Sequence, residues 1–207
     1  MDWLRLPWRG PPREADPGPK EDESPAASER SAPGIAALFD GLREDGSHAI
    51  LDFGTGGEGS FRLYSRFARR IRFAGMLPSP PRGRKWTAAL ESIPPPAGGR
   101  YDLVLVWNLL DRLTPEEHTA LVRRLAKLTS PGARLYAVVD TSGEPRVHPL
   151  HFTLLDLDRV AQRIDGPLVG VNPPLLPAAI ERLLDPFQVE HAFTLRGGLR
   201  EYVAVRR

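Results

Sequence analysis

The stretch 50-ILDFGTGGEGS-60 decides how this chain is read: an aliphatic run, one carboxylate at Asp52, then four glycines within six residues. Gly54, Gly56 and Gly59 satisfy G-x-G-x-x-G directly after a predicted strand (48-HAILDFG-54) and before a predicted helix, the context the motif requires. Glycine is needed there because a side chain would block both the tight turn and the approach of a cofactor to the backbone. The loop therefore reads as a cofactor cradle, and the rest of the sequence must say for which cofactor.

Outward from the loop, the pattern alternates between strands and helices. A short helix over 35-IAALFDGLR-43 precedes the first strand. The helix after the loop carries Phe61, Tyr64, Phe67, Ala68 and Ile71 on one face, with Arg62, Arg66 and Arg69 on a solvated opposite face. Strand 70-RIRFAGML-77 follows, then a proline-rich turn and a weak strand candidate, 86-WTAAL-90. The clearest buried strand is 101-YDLVLVWN-108, apolar on consecutive positions as a central parallel strand should be. Thr114, Pro115 and Glu117 spell a capped helix start; Leu121, Val122, Leu125 and Leu128 form its inward stripe, and Pro131-Gly132 stop it before strand 133-ARLYAVVD-140. Residues 141–174 show no clear period. A helix near 175–185 leads to strands 187–196 and 199–207, joined at the turn signal Gly197-Gly198. Strands alternating with helices and closed by a hairpin describe an α/β, Rossmann-like parallel sheet with an antiparallel edge.

Composition narrows the setting. The 207 residues suffice for one well-buried domain with an extension, and 41% hydrophobic with 26% charged residues is ordinary for a globular protein. The chain has no cysteine, which removes disulfides, thiolate metal sites and cysteine nucleophiles. No apolar run approaches the roughly 18 residues of a membrane-spanning helix, and the first ten residues contain no signal-peptide core; a cytoplasmic location is expected. A net charge of +2 gives no argument for nucleic acid. Arginine far outnumbers lysine, as in a GC-rich bacterial genome. Residues 9–34 hold six prolines, ten charges and no apolar side chain larger than alanine, so 1–34 is expected to be a disordered extension and 35–207 the folded domain. The extension carries a head of Trp3, Leu4, Leu6 and Trp8 that could dock on a partner.

Three readings of the loop follow. Dinucleotide binding expects an acid at the end of the second strand, and the chain offers Ala74-Gly75-Met76-Leu77 there, with only Arg82 and Arg84 as substitutes. The second reading starts from Asp52: ILDFGTG resembles the first motif of the class I S-adenosylmethionine-dependent methyltransferases. The resemblance continues in order through 101-YDLVLVWNLLDRL-113, 125-LAKLTSPGARLYAVV-139 and the closing hairpin, covering about 35–207. It implies a seven-stranded sheet, or a six-stranded one, with S-adenosylmethionine across the carboxyl ends of its central strands. Asp52 would support the loop and the methionine amino group, with Gly54, Gly56 and Gly59 giving clearance. Glu91 would contact the adenine amine, and Trp107 with Asn108 would line the methyl-donor end. The implied activity is methyl transfer to a small-molecule or protein acceptor. The chain departs from the pattern where the second-strand acid should grip the ribose, and Glu58 takes the usual place of the third glycine. Losing such a charge-assisted contact costs about 1.5–3 kcal/mol per hydrogen bond. The third reading is therefore a methyltransferase-like scaffold that has lost its cofactor and serves as a binding or regulatory module.

Other polar candidates are sparse. Methyl transfer needs positioning more than acid–base chemistry, so a catalytic residue is not expected to announce itself. The amino-methylating N-P-P-Y signature is replaced by Asn108-Leu109-Leu110-Asp111, and 172-NPPLL-176 reads as a helix start beyond the fifth strand. Asp111 and His118 flank the loop after the fourth strand and are candidates for touching an acceptor. His148 and His151 read as a surface pair without a third metal ligand, and His191 as strand packing.

Overall fold

The computed structural model describes residues 27–75, 86–97, 99–144, 146–167, 169–170 and 175–207. The tryptophan head, Arg82, Arg84 and the prolines of 172–174 lie outside the described residues.

In chain order the elements are β1 (Ser28–Ser31), α1 (Pro33–Phe39), β2 (His48–Asp52), α2 (Glu58–Phe67), β3 (Ala68–Phe73) and α3 (Trp86–Glu91). Then come β4 (Tyr101–Trp107), α4 (Pro115–Leu128), β5 (Thr129–Asp140), β6 (Arg146–Val147), β7 (Leu150–Asp156) and β8 (Arg159–Ile164). The chain closes with β9 (Val169–Gly170), α5 (Pro177–Leu183), β10 (Phe187–Thr194) and β11 (Leu199–Arg206).

Six strands form the central sheet in the order β10-β11-β5-β4-β2-β3. β3, β2, β4 and β5 run parallel, and β11 is inserted antiparallel between β5 and β10. β4 sits in the middle with Leu103 to Trp107 all buried, which is why its sequence is apolar without alternation. Helices cover both faces of such a sheet because each strand has two apolar sides to bury. α4 begins with the expected capping box: Thr114 accepts from the Glu117 backbone and Glu117 accepts from the Thr114 backbone. The terminal turn also forms as expected, with Gly197 and Gly198 at φ 79° and 84°.

Four expectations are corrected. Residues 86–91 form a helix, not a strand, so among the described residues the sheet ends at β3 and has six strands. Trp86, Ala89 and Leu90 are buried on one side of that helix, a spacing of three and four that a strand could not present to one face. α2 ends at Phe67 and buries Ser60, Leu63, Tyr64 and Phe67, whereas Phe61 is exposed and Ala68 and Ile71 belong to β3. α4 ends at Leu128, and Pro131-Gly132 lie within β5. The boundary at residue 34 is also too late. Ser28–Ser31 form a strand and Ala32 is fully buried, although their composition is that of a linker.

β1 belongs to a second, three-stranded antiparallel sheet, β1-β8-β7, built mostly from residues 141–174. β7 and β8 pair from Leu150↔Ile164 to Asp156↔Arg159, and β1 adds to the outer side of β8. The inward residues of this sheet, Phe152, Leu154 and Val160, join the same apolar core as the central strands. It packs on α2, so it lies beside the carboxyl end of β2.

Candidate functional site

Asp52 ends β2 with its side chain inside the protein, 2% exposed. Its Oδ1 accepts the Gly54 backbone N–H at 2.7 Å and the Trp107 indole N–H at 2.6 Å, while Oδ2 accepts the Tyr64 hydroxyl at 2.7 Å. The loop support expected of Asp52 is present in the first of these bonds. Burial raises the Asp52 carboxyl above its ordinary value, and the three donors oppose that rise. The same surroundings hold the Tyr64 phenol well above its usual range, burial first and the neighbouring Asp52 charge second.

Trp107 reaches Asp52 by an uncommon backbone conformation. It sits at φ 51°, the left-handed region, where β4 loses register with β5 between Leu105 and Trp107. A bulky residue there costs on the order of 1–3 kcal/mol. A hydrogen bond to a charged acceptor contributes about 1.5–3 kcal/mol and an aromatic stack about 0.5–1.5 kcal/mol, enough to hold the indole in place. That stack is with Phe152 of β7, at 5.0 Å between centroids and 7° between planes; Tyr136 meets the indole edge-on at 5.4 Å.

The glycines face protein. A Cβ on Gly56, whose φ is +78°, would lie 2.8 Å from the Phe73 ring, and one on Gly59 would lie 2.9 Å from the Leu154 carbonyl oxygen. A Cβ on Gly54 would approach Asp52 Oδ1 at 3.0 Å and the Trp107 indole nitrogen at 3.4 Å. Gly57 has open space, and Thr55, Gly57, Glu58 and Gly59 are exposed along the outer rim of the loop. Asn108, next to Trp107, is 2% exposed, and its Oδ1 has no partner among the described residues.

The structure brings Asp52, Gly54, Gly56 and Trp107 together and sends others elsewhere. Glu91 lies exposed at the end of α3, so it is not the polar residue following a third strand. Asp111 turns inward, both carboxylate oxygens 3.2 Å from the Asp140 backbone N–H, and burial carries its acid well above the usual range. His118 places Nε2 2.7 Å from the Leu110 carbonyl, which requires that nitrogen to carry the proton, and burial lowers its basicity. Both side chains are buried and held by backbone partners. His191 is exposed and stacked on Phe193, not packed in the core. His148 lies at the surface near the Gly166 carbonyl, and His151 is in β7 opposite Arg163.

Residues that no motif marked complete the site. Glu201, fully buried in β11, accepts from Tyr136 Oη at 2.8 Å, Arg30 Nη1 at 2.6 Å and the Gly34 N–H at 2.7 Å. Arg30 in turn lies 5.8 Å from the Phe152 ring centroid. The period-2 alternation of 150-LHFTLLD-156 was a signal for β7, with Phe152 and Leu154 inward. Nothing in the sequence signalled Arg30, which sits in a segment of linker composition.

Solved structures share this architecture. A S-adenosylmethionine-dependent methyltransferase from Mesorhizobium loti superposes with a TM-score of 0.52 at 17% identity, over 82% of this chain and 96% of that one. The chain has the methyltransferase fold. The 1,6-didemethyltoxoflavin-N1-methyltransferase of Burkholderia thailandensis, solved with 1,6-didemethyltoxoflavin and S-adenosylhomocysteine, gives a TM-score of 0.51 at 16% identity, over 84% of this chain and 76% of that one. The CcbJ methyltransferase of Streptomyces caelestis gives 0.50 at 14% identity, over 84% and 89%. The chain spans only 54% of the pyocyanin biosynthetic protein PhzM, with a TM-score of 0.47. No protein-family model and no curated protein matches the sequence.

Proposed function

We propose that this protein binds S-adenosylmethionine at the carboxyl ends of β2 and β4 and passes its methyl group to a small-molecule acceptor. One observation carries the reading: a buried carboxylate, Asp52, braces a glycine turn at the end of an inner strand of a sheet with methyltransferase order.

The residues present fit the cofactor in kind. The exposed rim at Thr55 and Gly57 offers backbone to a polar ligand, and Asn108 Oδ1, without a partner among the described residues, offers an acceptor. An acid at the end of β3 is missing, so ribose affinity rests on backbone contacts, and weak binding is expected. Trp107 and Phe152 stand beside Asp52, so the ligand must displace them to reach the carboxylate. When bound, S-adenosylmethionine supplies an electrophilic methyl group. The chain's own part is positioning: Asp52 fixes the loop, and the buried Leu154 keeps water from the strand ends. Among the described residues the exposed carboxyl at the loop is Glu58, paired with Arg62, in keeping with a displacement that needs orientation more than proton transfer.

A second reading has a specific observation behind it. Asp52 already receives three hydrogen bonds from the protein, and the clearances at Gly54, Gly56 and Gly59 are taken by Trp107, Phe73 and Leu154. A scaffold that had abandoned its cofactor would have this filling. Isothermal titration with S-adenosylhomocysteine tests the two. Saturable heat in the micromolar to millimolar range supports the enzyme; no heat from the wild type, nor from variants lacking Phe152, leaves the scaffold.

A further inference from the structure

We propose that the β1-β8-β7 sheet is a movable cover over the Asp52 site, latched shut by Arg30 of β1 on Glu201 of β11. The proposal rests on the methyltransferase reading for the identity of the ligand, though not for the existence of the cover.

The cover and the body are separate hydrogen-bonded units. None of β1, β7 and β8 pairs with a strand of the central sheet, so displacing them leaves its ladder intact. Among the described residues, their polar attachments to the body are few. Arg30 spans the seam: Nε donates to Gln162 Oε1 of β8 at 2.9 Å, and Nη1 donates to Glu201 Oε1 at 2.6 Å. Leu154 N donates to Ser60 Oγ of α2 at 3.2 Å. The Ala32 N–H donates to the Asp158 carbonyl, marking where β1 leaves the cover for α1.

The latch is connected to the site by direct contact. Arg30 lies against Phe152, Phe152 stacks on Trp107, and Trp107 donates to Asp52. Tyr136 closes the circuit, touching the Trp107 ring while donating to Glu201. A ligand that needs Asp52 must move the indole. The indole is held by Phe152, and Phe152 is held down by Arg30. Glu201 is the fixed half, because Tyr136 and Gly34 keep it in place whether or not Arg30 is bound. Arg30 is the releasable half: it keeps 16% side-chain exposure, and its Nη2 has no partner among the described residues. Apparent affinity is thus the intrinsic affinity multiplied by the fraction of time the cover is open.

The test uses the full chain, Arg30→Met, which keeps the apolar stem on Phe152 while removing the charge, and Phe152→Leu as a variant that leaves Glu201 paired. Amide hydrogen exchange and S-adenosylhomocysteine titration are measured on each. The cover predicts exchange faster by about tenfold or more at β1, β7 and β8 in Arg30→Met, with β4 and β5 unchanged, since local opening is separable from global unfolding. It also predicts S-adenosylhomocysteine binding tightened by about tenfold in both variants. Exchange that accelerates equally across β4 and β5, or not at all, overturns the cover. The two proposals fail differently. Selective opening without binding by any form keeps the cover and sinks the methyltransferase reading. Equal binding by all forms with unaltered exchange does the reverse.

Discussion

The two layers that meet at Asp52 are held by different means. The central sheet is stabilised by strands buried on both faces, such as β4, whose neighbours in space are also its neighbours in pattern. The cover is three short strands with one apolar face, joined to the body through Phe152, Leu154, Val160 and three polar links. One layer resists change through area; the other depends on a few groups at its seam. A methyltransferase fold with this division has a rigid floor and a roof that local chemistry could release.

The largest effect should come from the seam's fixed half. Glu201→Ala leaves the Tyr136 hydroxyl, the Gly34 N–H and the Arg30 guanidinium without their acceptor. Breaking a buried pair from one side costs about 3–5 kcal/mol, read by urea denaturation. A loss below 1 kcal/mol would mean that the two layers are not joined there.

Next come two substitutions at Asp52. Asp52→Ala strands three donors and should cost about 2–4 kcal/mol. In Asp52→Asn the amide oxygen keeps Gly54 and Trp107, and its NH₂ donates to the Tyr64 oxygen, so urea denaturation should show most of that stability retained. Equal losses would show that negative charge, not hydrogen-bond geometry, is what the loop requires. Smaller again is Thr114→Ala, which removes one half of the α4 capping box and should lower stability by about 1 kcal/mol, visible as a shifted urea midpoint.

The smallest is a pH effect in the floor. Burial lowers the His118 pKa below its ordinary 6.5, so the native state binds fewer protons than the unfolded chain as pH falls through that value. Stability from this group is present above about pH 6.5 and lost below it, and His118→Gln should flatten the urea midpoint between pH 7 and 5. Asp52 and Asp111, both raised, act in the opposite sense: they hold protons in the native state that the unfolded chain releases, so stability falls as pH climbs above the ordinary carboxylate value.

The division between layers also explains what the sequence disclosed. The α4 capping box, the run at β4 and the Gly197-Gly198 turn are local signals, and each forms where its residues specify. The glycine motif was legible as a turn with close approach, but what approaches came from far along the chain: Phe73 to Gly56 and Leu154 to Gly59. Arg30 was hidden because its partner is 171 positions away and its neighbours are serine, alanine and glutamate. Residues 86–90 are ambiguous in sequence because five residues are too few to separate a helix turn from a strand by period alone. Proximity in sequence to the strand end does not show that Asp111 and His118 both turn inward to backbone partners.

The central claim is tested most directly at the Trp107 indole, whose N–H points at Asp52. In a ¹⁵N-labelled sample, titration with S-adenosylhomocysteine should move the Trp107 indole resonance saturably while that of Trp86, buried on α3, stays in place. A Trp107 resonance that does not respond up to millimolar ligand, in the wild type and with Phe152 replaced, would contradict a cofactor site at Asp52.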